Sequence, residues 1–219
     1  MPENLLSLEG EEAHHALSVM RKKEGSIVEL INGKNVLAKA EIISTTKRSL
    51  RLRVISSLSA SPPSSIILCQ ALIRPNKLDF IMEKGTELGM TELWLFPAER
   101  SEKISLSPHQ QTRLHALSIA AMKQCGRLDL PTLSLKPPLL QWSSLPYPAY
   151  FGETAPHAPP FLSLYKKASG VLFFIGPESG FSPHEEEHLR SLHAQGVRLH
   201  PHTLRTETAP LVALTLLSA

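Results

Sequence analysis

The stretch VLFFIGPESGFSPHEEEHLR, residues 171–190, decides the fold class. Val171 to Ile175 is an unbroken apolar run, the pattern of a strand buried on both faces. Gly176-Pro177 ends the run, and Ser182-Pro183 opens a helix. Serine suits the N-cap, proline suits the first helical position, and Glu185 stands at the capping-box spacing from Ser182. A strand leading through a short loop into a helix is half of a βαβ unit, the connection that parallel strands require.

The same alternation recurs outward from this stretch. Strands are expected at 66–72 (IILCQAL), 92–96 (ELWLF), 149–151 (AYF) and 197–200 (VRLH). Leu78, Ile81, Met82 and Leu88 share a helical face behind Asn76 as a cap. Ser107-Pro108 opens a longer helix, with Leu114, Leu117, Ala121 and Cys125 on one face and a stop near Gly126. Leu189 and Leu192 face inward on the helix that Pro183 opens, with Gly196 after its end. The expectation is an α/β domain, a parallel sheet covered by helices on both faces.

Before SSLSASPPSS (56–65) the pattern is different. SIVELI (26–31), VLAKAEII (36–43) and LRLRVIS (50–56) read as strands, with Asn32-Gly33-Lys34-Asn35 as a hairpin turn. The expected organisation is a β domain over 1–60, a linker over 61–65 and the α/β domain over 66–219.

Composition leaves one or two globular domains. With 18 prolines and 42% hydrophobic residues, the 219-residue chain is too proline-rich for one helical bundle and too apolar for a disordered chain. Cys69 and Cys125 match no paired metal spacing and read as thiols of a reducing compartment. No apolar run approaches the roughly 18 residues of a membrane span. The start, MPENLLSLEGEEAHH, is acidic where a secretory signal would be basic and then apolar, so the expected location is cytoplasmic, with no membrane partner.

The net charge of +3 hides an uneven distribution. Nine Lys/Arg lie between Arg21 and Arg53 against three Glu, whereas 54–219 holds 14 basic and 13 acidic residues. The basic segment suits a polyanion, and equally a solvated face of a small barrel.

In an open parallel sheet, ligands bind beyond the carboxyl ends of the strands. That singles out PAERSEK (97–103), GETAP (152–156), GPESGFSP (176–183) and HPHTLRTETAP (200–210). GPESG is neither a Walker A loop, nor G-x-G-x-x-G, nor a nucleophile elbow. It leads into a helix N-terminus whose free N–H groups could face a polar ligand, and a tight turn into a capped helix explains it as well.

His184-Glu185-Glu186-Glu187-His188 fits H-E-x-x-H, with Glu185 as a general base and Glu207 at a spacing for a third zinc ligand. That would make a zinc-dependent hydrolase. Capping by Ser182, Pro183 and Glu185 accounts for the residues that the zinc reading uses, and the first-turn glutamates suit the helix dipole. No metal is therefore expected.

GPESGF and LRTETA, together with HHALSVMRKKEG (14–25), EKGTELGM (83–90), FPAERSEK (96–103) and QCGRLDLPTL (124–133), resemble the RsmE family of SPOUT-type methyltransferases. In that family the modified site is N3 of a uridine in small-subunit (16S) rRNA. The resemblance runs from His14 to Ala213 with the motifs in the family's order. It implies an N-terminal PUA-like β-barrel for RNA and a C-terminal α/β domain tied in a trefoil knot. It further implies S-adenosylmethionine as cofactor, 16S rRNA or the small ribosomal subunit as partner, and a homodimer whose active site draws on both chains.

Carried over motif by motif, the cofactor residues are Gly176, Pro177, Glu178, Gly180, Leu199, Leu204, Arg205, Thr206, Glu207, Thr208 and Ala209. Arg100 and Arg127 fall in the RNA-facing cleft, and Arg21, Lys22, Lys23, Lys47, Arg48, Arg51 and Arg53 would contact phosphates. Three departures stand out. Ser179 replaces the family's second loop glycine, which would restrict the backbone there. His200-Pro201-His202 replaces a leucine-glycine pair, and Pro210 follows the ETA signature. A non-catalytic RNA-binding relative is the alternative these departures raise.

N3 of uracil must lose a proton to become a good nucleophile, so the enzyme needs cationic stabilisation of charge on O2 and O4. Arg205 is the catalytic candidate, with a salt bridge to Glu207 or Glu178 as its other possible role. Glu207 and Glu178 are the candidate bases, Glu207 being paired with Arg205 in the catalytic assignment.

Overall fold

The computed structural model describes residues 4–218, and the chain divides between Pro62 and Pro63 into two compact units.

The first unit contains β1 (Leu5–Glu9), α1 (Gly10–His14) continuing as a π-helical turn over His15–Val19, β2 (Ile27–Ile31), β3 (Val36–Thr45) and β4 (Ser49–Ser59). These strands form an antiparallel sheet in the order β1-β4-β3-β2. Alternation sets its faces: Leu50 and Leu52 join Ala13, Ala16, Ala40 and Ile42 in a small core, while Arg51 and Arg53 point to solvent. At the β2–β3 turn, Asn32 Oδ1 accepts from the amides of Lys34 and Val36. Gly33 and Asn35 both take left-handed φ, which glycine and asparagine tolerate.

The expected strands 26–31 and 36–43 are β2 and β3. β1 and α1 have no counterpart among the expected elements, because the acidic start offers only a five-residue alternation and one helical turn. Ser56–Ser59, expected to begin the break, is strand: it pairs with Val36–Lys39 at the beginning of β3.

The second unit contains β5 (Ser65–Ala71), α2 (Pro75–Glu87), β6 (Glu92–Phe96), α3 (Pro108–Cys125), β7 (Thr132–Leu135), β8 (Ala149–Gly152), α4 (Phe161–Leu164), β9 (Gly170–Ile175), α5 (Pro183–Ser191), β10 (Gln195–Val197) and α6 (Ala209–Ser218). Every neighbouring pair in the order β10-β8-β9-β5-β6-β7 is parallel. Successive side chains of the central strands enter opposite cores. Val171, Phe173 and Ile175 pack with Leu78 and Ile81 of α2, Leu114 of α3 and Leu214 of α6. Leu172 and Phe174 pack with Cys69, Phe151, Phe181 and Leu189 on the other face. The α/β reading, with both faces of a parallel sheet covered, is what the structure shows.

Several local expectations are corrected. α2 is capped at Arg74 with Pro75 in its first turn, so Asn76 lies inside the helix. On α3 the buried stripe is Leu114, Ser118, Ala121 and Met122, whereas Cys125 is exposed. α5 ends at Ser191 with Leu192 as its C-cap, and His193 follows with a left-handed φ of 65°. Gly196 is inside β10, where a Cβ would collide with the Glu153 carboxylate. β10 spans 195–197, and beyond it Arg198 makes a single bridge to Pro160. β7 and α6 carry no sequence expectation, the first because four residues hold too little pattern, the second because its nearly uniform apolarity has no periodicity.

Among the described residues, no helix is long and apolar enough to cross a membrane.

Candidate active site

Chain order reverses between β5 and β9, because β6 and β7 lie on one side and β8 and β10 on the other. Loops leaving the carboxyl ends diverge at such a point and leave a crevice. Here the loops after β8, β9 and β10 enclose a cavity of about 370 Å³. Its apolar wall includes Ile175, Val197, Leu199 and Leu204, and its polar wall includes Glu153, Glu178, Arg205 and Thr206.

Two contacts fix the walls. Gln70, buried near the end of β5, donates through Nε2 to Thr206 Oγ1 at 3.2 Å, and Thr206 Oγ1 donates to the Gly176 carbonyl at 2.7 Å. Strand β5 and both loops are thereby joined. Lys77, in the first turn of α2 and itself at the cavity wall, reaches both loops: its Nζ is 3.1 Å from Glu178 Oε1 and 3.1 Å from Glu207 Oε2. The second contact is an ion pair without the alignment of a straight hydrogen bond.

Burial alone would push the Glu207 carboxyl up. Its own backbone amide, the Lys77 ammonium and the more distant Arg205 outweigh that and hold it below its usual value. Burial works against the Lys77 ammonium too, but its pairing with Glu207 and Glu178 holds its pKa above the usual value. Near neutral pH, Glu207 and Lys77 are therefore both charged.

Of the residues expected to hold a cofactor, Gly176, Pro177, Glu178, Gly180, Leu199, Leu204, Arg205, Thr206 and Ala209 line the cavity. Glu207 is turned to Lys77, and the Thr208 carbonyl accepts from Leu211 in the first turn of α6; neither residue lines the wall. The expected alternative of a salt bridge from Arg205 to Glu207 or Glu178 is replaced by Lys77, leaving Arg205 exposed at the cavity. Sequence reasoning missed Lys77 because RPNKLD reads only as a helix start. It also missed Glu153, whose Oε1 accepts from Arg190 at 2.9 Å.

The departures fit without strain. Ser179 has no positive φ; the left-handed residue of its loop is Gly180, and Ser179 Oγ donates to the Arg100 carbonyl. His200-Pro201-His202 forms a bend at the cavity rim in which His200 Nδ1 accepts from the His202 amide. Pro210 lies in the first turn of α6, where a missing N–H costs little.

Arg100 donates to the carbonyls of Ser179 and Phe181, pinning the loop after β9. Arg127, expected in the RNA-facing cleft, bonds the carbonyls of Thr86 and Met90 and pairs with Asp129. In the first unit, Arg21 and Lys23 are exposed on the segment after the π-helical turn. Glu24 ties that segment to Thr45, beside the turn that carries exposed Lys47 and Arg48. Arg53 pairs with Glu41 at 2.6 Å.

Glu185 of the H-E-x-x-H stretch is 1% exposed and fully engaged: its carboxylate accepts from the amides of Glu99 at 2.9 Å and Ser182 at 3.0 Å. His188 Nε2 lies 2.9 Å from the Trp142 carbonyl, so that nitrogen carries a proton. Among the described residues no group of three or more His, Cys, Asp or Glu is placed to hold a metal ion. Glu185→Ala should destabilise the chain by about 2–4 kcal/mol, because two backbone amides lose their acceptor. Urea unfolding checks this, and unchanged stability would remove the capping role.

A family model described as an RNA methyltransferase domain matches residues 60–218, and one described as an RNA methyltransferase PUA domain matches 8–55. The ribosomal RNA small subunit methyltransferase E of Bacillus subtilis is 32% identical, covering 97% of this chain and 89% of that one. The Aquifex aeolicus protein of the same name is 31% identical, covering 98% and 94%. Among solved structures, a Legionella pneumophila methyltransferase with the bound cofactor SAM superposes with a TM-score of 0.87 at 28% identity, covering 99% of this chain and 92% of that one. The Neisseria gonorrhoeae ribosomal RNA small subunit methyltransferase E shares the fold, with a TM-score of 0.85 at 22% identity, covering 99% and 92%.

Proposed function

The chain belongs to the RsmE family of ribosomal RNA small subunit methyltransferases, and from that membership we propose that it methylates N3 of one uridine in 16S rRNA. The family's reaction, S-adenosylmethionine-dependent methylation of small-subunit rRNA, is its activity. The observation that carries the finer reading is the cavity at the β5–β9 reversal, where carboxylates and an exposed arginine meet an apolar wall.

The residues fit this cofactor. S-adenosylmethionine is amphipathic and cationic, and the cavity pairs apolar Ile175, Val197, Leu199 and Leu204 with the carboxylates of Glu153 and Glu178. At Gly176, which lines the cavity, a Cβ would lie 3.0 Å from the Phe181 amide nitrogen, so the tight closure of this loop on itself calls for glycine. The loops 176–180 and 199–209 would hold the group, which supplies an electrophilic methyl carbon on a sulfonium.

The chain's own residues position the acceptor and manage its charge. Arg205, exposed at the cavity, stabilises the negative charge that spreads onto uracil O2 and O4 as N3 loses its proton. Both carboxylates pair with Lys77 at 3.1 Å, but only Glu178 also lines the cavity, which makes it the carboxylate nearer to hand for that proton. The target base lies within RNA, which requires flipping or a single-stranded substrate.

The PUA-like unit binds RNA phosphates through Arg21, Lys22, Lys23, Lys47, Arg48, Arg51 and Arg53, with Arg100 beside the cavity. Reversing Lys22, Lys23, Lys47 and Arg48 to Glu should weaken RNA binding and lower its salt slope by about 1 for each phosphate that is no longer neutralised. Unchanged binding would remove this role. The domain division proposed is 1–60 for RNA and 66–219 for chemistry, the latter threaded as a trefoil knot, in a cytoplasmic homodimer that sedimentation would detect.

Incubating small-subunit rRNA and assembled subunits with labelled S-adenosylmethionine, then identifying the modified base, tests the reading. N3-methyluridine is the expected product. Another methylated atom would overturn the N3 assignment, and no transfer to either substrate would favour a non-catalytic relative.

A further inference from the structure

Lys77 departs from an ordinary surface lysine in three ways. Its ammonium is equidistant from two carboxylates, 3.1 Å from each. Those carboxylates belong to different cofactor loops, one following β9 and the other following β10. Lys77 also lines the cavity, as Glu178 does.

The trio of Lys77, Glu178 and Glu207 carries one net negative charge when all three are ionised. S-adenosylmethionine, with its sulfonium, ammonium and carboxylate, carries one net positive charge. The demethylated product, S-adenosylhomocysteine, lacks the sulfonium and is neutral overall. A pocket with two uncompensated carboxylates would favour any cation strongly, and its loops would repel each other. Lys77 cancels one of the trio's two carboxylate charges and so moderates their pull on the donor's extra positive charge, while the shared ammonium holds the loops together.

Resting on the methyltransferase reading, we infer that Lys77 is a positioning residue that joins the two cofactor loops and limits the pocket's preference for the charged donor over its uncharged product. Lys77 acts through Glu178 and Glu207, and its effect is on binding, read without turnover. Lys84 on the same helix shows the contrast: it pairs with Glu83 and Glu87 of its own helix and so links no loops.

Calorimetric titration of the full chain with S-adenosylmethionine and with S-adenosylhomocysteine at pH 8 tests the inference. In Lys77→Met both affinities should fall as the loops loosen. The ratio of product Kd to donor Kd should rise, roughly threefold or more at low salt, and the rise should shrink at high salt. Lys77→Arg, which keeps the charge, should restore the wild-type ratio.

Glu178→Gln should shift the ratio the opposite way, and it decides the matter if Lys77→Met does not fold. Equal losses for both ligands, with the ratio unchanged, would make Lys77 a structural link only and overturn the charge role. Unchanged affinities would overturn the inference entirely. A wild-type chain that binds neither ligand would overturn the methyltransferase reading, and the inference with it.

Discussion

Arg205→Ala should lower the methyl-transfer rate by roughly 10²–10³, with the fold and cofactor affinity largely retained. The side chain is exposed at the cavity, so its removal opens no void. Its backbone carbonyl, which accepts from Thr208 and Ala209 at the entry to α6, is unaffected by the substitution. The loss should appear in kcat, because the charge that Arg205 meets develops as the uracil ring gives up its proton. Single-turnover methylation of rRNA, paired with circular dichroism and a cofactor titration, separates this from misfolding. Full activity would rule out a charge-stabilising arginine, and a variant that loses cofactor affinity instead would make Arg205 a binding residue. Arg205→Lys should recover part of the rate, since a point charge replaces a planar fork.

Phe174→Ala should destabilise the chain by about 3–5 kcal/mol, more than the removal of the Glu185 cap. Phe174 is fully buried on β9, opposite Cys69 of β5 and Phe151 of β8. Its ring meets Trp142 edge-on at 5.5 Å between centroids and Phe96 at 6.1 Å. Truncation leaves a cavity among rigid aromatic rings on one face of the central strand, where little can move to fill it. For a chain of this size the melting temperature should drop by roughly 6–20 °C. Urea or thermal unfolding reads the effect. A loss below about 1 kcal/mol would mean that this aromatic core is loosely packed.

The parts of the fold legible in the sequence are those whose signal is local. Val171–Ile175 announces a strand by five consecutive apolar residues, Ser107-Pro108 and Ser182-Pro183 announce helices, and the structure forms a capping box at both serines. β10 starts two residues before its expected position because VRLH alternates while the true start, Gln195-Gly196, is defined only by packing under Glu153. The site is legible as a set of loops, since GPESG and RTET stand where strands end, but not as a set of partners. Nothing near Lys77 or Gln70 in sequence names Glu207 or Thr206, and ion pairs across that separation are created by topology alone. Arg127 is a similar case: its motif says nothing of the Thr86 and Met90 carbonyls that its guanidinium clamps at the turn after α2.

The bond between Gln70 and Thr206 joins residues 136 positions apart. During synthesis the amino-terminal portion emerges first, so β5 and α2 are available long before the chain that completes their contacts. Gln70 and Lys77 must wait for almost the whole second unit before they meet Thr206 and Glu207. Contacts of that separation carry a larger loop-closure cost than the local contacts within β5 and α2. A chain interrupted before residue 206 can build much of the central sheet but none of the cross-link that shapes the pocket. Cofactor binding is thus a report on how far translation has gone: fragments cannot sequester the donor, and a molecule that holds it has already folded its carboxyl-terminal segment.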